Sequence, residues 1–383
     1  MSAAFEETAW SWVDHLRHGG VTGWADWVAA SPVGAPVATN GALPGAAQLE
    51  FVRRLAEAGP PGPGFTALAD RALARSGPGR GLPDLPLSWG DSSARVIGAP
   101  PRDPATVPTE GLLRVGIGVL ADLLLEQPDN AAPIEQGRRR RPWTRQFLLA
   151  GAPLTVAAVR QALAAAGHRE SHGNPEVVVV ARPLDVHLFE AWTARVRAGA
   201  SARWGRFVAR CAGRDELPPS ADLLRIARRW RGVVGPERVH LVFDPADPVG
   251  VVAHILGLSA RRTPVPTPAP EHVDVVRRLN ALLRGRVPPE RRTALVKLAG
   301  PVVVDRGGQP LRLPPELVGW ALERSARLRE GLRADGYPVH GDAEWIGLRA
   351  AAGPVWPRSR VVLDLVLAAC RALADQPTVR EGR

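Results

Sequence analysis

Gly151, Pro153 and Thr155 fall within five residues, in the stretch Gly-Ala-Pro-Leu-Thr, between an apolar run and a segment of helical apolar period. A glycine for a tight turn, a proline pre-set for a first helical turn and a threonine hydroxyl suit a strand-to-helix turn whose N–H groups face a phosphate. Such a turn could cradle a phosphate, whose charge on oxygen must meet fixed donors. The lysine that would add a full charge is missing, and Leu154 stands in the turn instead. Other cations lie within reach in sequence: Arg145 before the strand, Arg160 one turn into the helix, and Arg182 after the run Glu-Val-Val-Val-Val-Ala. A general base is also required, and the stretch Gly-His-Arg-Glu-Ser-His-Gly-Asn offers His168, Glu170 and His172. The spacing of these three matches no strong metal signature, so no metal site is expected.

These groups need elements to hold them. Arg-Gln-Phe-Leu-Leu-Ala-Gly reads as a buried strand ending at Gly151, and residues 155–166 as a helix with Val156, Val159 and Leu163 on one face, stopped by Gly167. The β-branched run ending at Ala181 predicts a strand covered on both faces. A helix carrying Phe189, Trp192 and Val196 on one stripe follows it. Two further helices precede a third strand, Val-His-Leu-Val-Phe, with Ser220 as the N-cap of the second, and another helix comes after that strand. The alternation predicts an α/β domain with a mostly parallel sheet in layers. Ligands of such sheets gather beyond the carboxyl ends of the strands, here residues 151–155, Arg182 and Asp244.

From residue 145 to 346 this order of parts resembles the sulfotransferase family, especially its actinobacterial sulfotransferase-like branch. The family's turn is of the type Gly-x-Pro-Lys-[Ser/Thr]-Gly-[Ser/Thr]-[Ser/Thr]. Here Gly151, Pro153 and Thr155 match, while Leu154 takes the lysine place, Val156 the glycine place, and Ala157 and Ala158 the hydroxyl places. The resemblance places Arg182 where the family's arginine binds the cofactor 3′-phosphate, and Glu190 near the place of a serine. It implies a P-loop-type, three-layer sulfotransferase-like domain, with Gly151, Pro153, Thr155, Arg160 and Arg182 as the cofactor-binding set. The donor, if the chain were active, would be 3′-phosphoadenosine-5′-phosphosulfate. The missing lysine removes the one full charge in the turn. Val156 resists the positive φ that glycine would allow there. The expectation is therefore a non-catalytic or impaired relative that binds a partner, such as an active paralogue or glycan-pathway enzyme, or a glycan-type ligand. The alternative is an active enzyme moving a sulfuryl group to a hydroxyl or amine of a glycan, lipid or small metabolite.

The front of the chain differs. Residues 1–136 hold nine arginines against fifteen carboxylates, while the whole chain carries a net charge of +11, so the rest is strongly basic. Such a balance suits a small anionic ligand. A nucleic-acid binder is a third reading, resting on the arginine excess and on two helices around a Pro/Gly turn at 46–76. That turn is long and proline-rich, which favours packing over base reading. Trp10, Trp12, Trp24 and Trp27 read as core anchors on short helices, and Thr109 as an N-cap. Residues 137–144, with the run Arg138 to Arg141, read as a basic linker between the helical region and the body at 145–346, and 347–383 as a C-terminal helix and tail. Two cysteines without metal or redox spacing, an acidic start without an apolar segment and no membrane-length apolar run point to a cytoplasmic protein.

Overall fold

The structure is a computed structural model. It describes residues 3–30, 44–75, 103–127, 146–171, 173–243, 246–261, 265, 267–303, 305, 307–349 and 353–376. The arginine run at 138–141, Arg145, His172 and Asp244 lie outside the described residues.

Along the chain run α1 (Ala3–Arg17), α2 (Trp24–Ala30), α3 (Ala46–Glu57), α4 (Phe65–Ala74) and α5 (Thr109–Leu125). Then come β1 (Phe147–Gly151), α6 (Pro153–Ala165), β2 (Glu176–Ala181), α7 (Leu184–Arg197), α8 (Trp204–Arg214), α9 (Leu223–Val234), β3 (Val239–Phe243) and α10 (Pro248–Leu256). The chain continues through α11 (Pro270–Leu283), α12 (Pro289–Val302), α13 (Val318–Asp335), β4 (Val339–His340) and α14 (Ser359–Ala374). The class is α/β, as the alternation predicts, and among the described residues no helix is long and apolar enough to cross a membrane.

Two compact units form. One joins residues 1–130, 274–305 and 358–383; the other joins 131–273 and 306–357. The first unit takes in two later segments as well as the front of the chain. Most of α11, all of α12 and α14 share a core with the front helices. An amphipathic pattern says that a helix has an apolar stripe but not which helix will cover it.

In the helical unit, α5 is apolar nearly all round and α14 lies along it, burying Val362, Val366 and Cys370. Gly116 makes the close approach possible: a Cβ there would lie 2.6 Å from the Phe51 ring and 2.8 Å from Val366 Cγ1. Gly116→Val is accordingly expected to lower stability by about 1–3 kcal/mol through overpacking, read as a fall in the urea midpoint at unchanged slope. The tryptophans behave as anchors. Trp12 and Trp24 are buried with ring centroids 5.1 Å apart, and Trp12 Nε1 donates to the Thr22 carbonyl. The α3–α4 pair turns Leu49, Phe51, Phe65 and Leu68 into the same core, the packing role expected of it. Two caps differ from expectation. Thr109 is the first residue of α5 rather than its cap, and Asp222, not Ser220, caps α9 by accepting from Arg225 N at 3.1 Å. Aspartate and serine lie two residues apart there, and sequence alone does not choose between two good capping side chains.

In the α/β unit the four strands are all parallel and lie in the order β1-β2-β3-β4, with Gly151 beside Val180 and Val179 beside Leu241. The fully buried Val177–Val180 run is the central reason for this sheet, because both its faces are covered. Phe147, Leu149, Val178, Val180 and Val242 point toward α6 and α10 in one apolar cluster. The alternate residues point the other way, where α9 packs.

Candidate functional site

The turn after β1 is built on one glycine. Gly151 has φ +106°, and a Cβ there would meet the Val180 carbonyl oxygen at 2.1 Å, so no other residue fits. The next amide, Ala152 N, donates to that same carbonyl at 2.9 Å and locks the turn to β2. Pro153 then opens α6 at a position where its missing N–H costs nothing. Ala152, in the cap place, has no side-chain oxygen to offer, so the first amides of α6 need an acceptor from elsewhere.

Glu190 supplies it. It comes from the second turn of α7 and reaches across to the start of α6. Its Oε2 accepts from Leu154 N at 2.9 Å and Thr155 N at 3.0 Å, while Oε1 accepts from Thr155 Oγ1 at 2.7 Å. Both Glu190 and Thr155 are buried. The carboxylate thus sits where a phosphate would rest at a helix N-terminus, held by charge-assisted bonds and by the helix dipole. Burial pushes the Glu190 pKa up; the hydrogen bonds from Thr155, the Arg182 charge and the Leu154 amide act against that rise.

His187, three residues earlier on α7, is fully enclosed beside the turn. Burial lowers its pKa to about 4, the backbone of Ser220 and of Gly151 pulls the other way, and the Arg182 charge lowers it further. The imidazole is therefore neutral at physiological pH. Asp185, at the start of α7, is also buried; it accepts from Arg349 N at 3.1 Å and so ties the 347–349 segment to the same edge.

The structure brings together Gly151, Pro153, Thr155 and Arg182 of the expected set. It does not bring Arg160, His168 or Glu170 to them. Glu170 Oε1 accepts from Leu149 N at 2.8 Å, and its carboxylate is gripped by Arg160 at 2.6 and 3.1 Å. Ser171 N donates to the Phe147 carbonyl at 3.0 Å. This loop therefore runs along the outer edge of β1, which pairs only with β2 among the described residues, and covers an otherwise open strand edge. His168 is tied to the end of α6 through its amide, which donates to Leu163 O at 2.8 Å, on the side away from the turn. Among the described residues no cluster of three acids, histidines or cysteines is placed to hold a metal ion.

Val156 also differs from expectation. It lies inside α6 with ordinary helical geometry and packs into the sheet cluster, so the place does not demand positive φ here. The group that fills the turn is neither Leu154 nor Val156 but Glu190, a residue 35 positions further on. His187 and Glu190 as members of the site are not read from the sequence. The available signal is a histidine and a glutamate three apart in an otherwise apolar stretch of the helix, Leu-Phe between them and Ala-Trp after.

Comparison of the chain with family models, with curated proteins and with solved structures finds no match in any of the three.

Proposed function

We propose that this chain is a non-catalytic protein of sulfotransferase-like type, whose donor turn is closed by its own carboxylate and which acts by binding a partner or a glycan-type ligand. The observation that carries the reading is Glu190 on the amides of Leu154 and Thr155. An incoming phosphate would have to break three hydrogen bonds to that carboxylate or share the site with it. Like charges about 4 Å apart repel by roughly 4 kcal/mol at an effective dielectric near 20, which is about a thousandfold in affinity. Leu154 offers no cation to offset this.

Doubly wound sheets of P-loop type bind ligands at the switch point where the strand order reverses. The order β1-β2-β3-β4 contains no reversal among the described residues, so the topology weighs against donor binding and against the P-loop order alike. The partner under this reading is an active paralogue or a glycan-pathway enzyme.

Calorimetry with 3′-phosphoadenosine-5′-phosphate tests the proposal. No heat of binding is expected at millimolar nucleotide. Micromolar binding that disappears in Arg182→Ala would restore the alternative, a working transferase using the phosphosulfate donor, and end this reading.

A further inference from the structure

A second cluster of the α/β unit lies between α9 and α13, away from the turn in sequence. These two helices flank a solvent-open cleft of about 340 Å³. Arg225 and Arg228 of α9 and Arg324 and Arg327 of α13 line it, with Leu224 and Leu328 as its apolar wall. Leu328 is buried, and Leu224 can settle against α13 because position 331 is glycine, where a Cβ would lie 2.6 Å from Leu224 Cδ2.

Counting carboxylates shows that the charge is not cancelled. Asp335 serves Arg228 at 2.8 Å and Arg231 at 3.7 Å, and also accepts from Tyr337. Asp215 serves Arg327 at 2.8 Å and Arg324 at 3.7 Å, and also accepts from Trp320 Nε1. Asp222 lines the cavity but spends an oxygen on the cap of α9. Arg225, Arg228, Arg231, Arg324 and Arg327, five guanidiniums, thus stand near four carboxylates, Asp215, Asp222, Asp335 and Glu323, and the Arg225 side chain makes no ion pair among the described residues. Asp215 is held in place by its backbone: it is the only non-glycine residue at positive φ among the described residues, at +48°. It pairs with both Arg324 and Arg327.

We infer that this cavity is a binding site for a small phosphorylated ligand. Guanidinium forks match the tetrahedral oxygens of a phosphate, and two or more forks on facing helices suit a diphosphate. A cavity of this size admits a phosphorylated metabolite, with Leu224 and Leu328 against its non-ionic part. None of the residues lining it belongs to the closed turn.

Titration of the full chain with pyrophosphate, followed by calorimetry in low-salt chloride buffer, tests this. Saturable binding with a sub-millimolar Kd is expected, weakening as salt is raised. Arg225→Gln should raise Kd about tenfold, the worth of one charge-assisted contact. Its melting temperature without ligand should not move, because Arg225 is exposed and makes no ion pair that folding depends on. Arg229→Gln, on the same helix but outside the cavity, should leave Kd within about twofold, since it changes only the general field. Absence of saturable binding at millimolar pyrophosphate would overturn the inference, as would equal weakening by Arg229→Gln. Loss of binding in Arg182→Ala, with Arg225→Gln unaffected, would move the ligand to the turn and refute both this site and the closed-turn reading. Tighter binding of a short DNA duplex than of pyrophosphate would assign the arginines to nucleic acid instead.

Discussion

Glu190→Ala is expected to destabilise the protein by about 3–5 kcal/mol, and sulfate or phosphate to return part of that loss. The size follows from what the truncation leaves behind. A half-buried amide, a buried amide and a buried hydroxyl lose their acceptor, and the positive charge of Arg182 loses its nearby carboxylate. Removing one member of a buried charged set costs this much because the others stay desolvated. Glu190→Gln separates the two causes. The amide oxygen can still accept from Leu154 N and Thr155 N, and burial disfavours the charged carboxylate in any case, so glutamine should cost about 1 kcal/mol. The alanine variant, unlike glutamine, opens an anion nest with N–H groups already aimed. At an anion concentration ten times its Kd, binding restores about 1.4 kcal/mol. Urea denaturation with sulfate against chloride at matched ionic strength reads both effects. A cost near that of glutamine, with no response to sulfate, would show that the carboxylate does not fill the turn.

The second large effect is on acid stability. His187 has a folded pKa of about 4 against an ordinary value of 6.5. Between these values the unfolded chain holds the extra proton. The histidine's contribution is therefore fully present above pH 6.5 and is lost as pH falls toward 4. The full drop is about 3 kcal/mol, with no discount for solvent because the ring is enclosed. His340 is lowered too, by burial and then by His240 and His254, so it adds in the same direction. Glu190 and Asp185 act oppositely. Their raised values mean that they favour the folded state at low pH and oppose it as pH rises through those values. The wild-type slope is thus shallower than His187 alone would give. His187→Gln should flatten or reverse the slope of stability between pH 7 and 4 relative to wild type. Parallel profiles would mean that the ring finds water or a partner before it protonates.

How much of this was legible in the sequence depends on range. The valines of β2 announce a buried strand, and Gly151 with Pro153 announces a strand-to-helix turn; both signals are local, and both elements form. The strand order is not local, and nothing in the spacing of the runs says that β1 will be an edge. Glu170 looks like a base because a loop carboxylate near a histidine has no local reason to be elsewhere. Its partners, Leu149 N and Arg160, are fixed only when the loop folds back along β1. Glu190 is visible as a departure from the sulfotransferase-like pattern, yet its reach into the turn depends on how α7 packs against α6. The arginines of α9 and α13 lie about a hundred residues apart, and only the folded pairing puts them around one cavity.

The helical unit carries a cost in time. α5 ends at Leu125, but α14, which lies along it, begins at Ser359. At a ribosomal pace of roughly 5–20 residues per second, the greasy side of α5 waits on the order of ten to fifty seconds for its cover. During that interval a nascent chain is exposed to sticking, and a holding chaperone would have an obvious landing place. A ribosome stalled before Ser359 would release a product whose front half could not close.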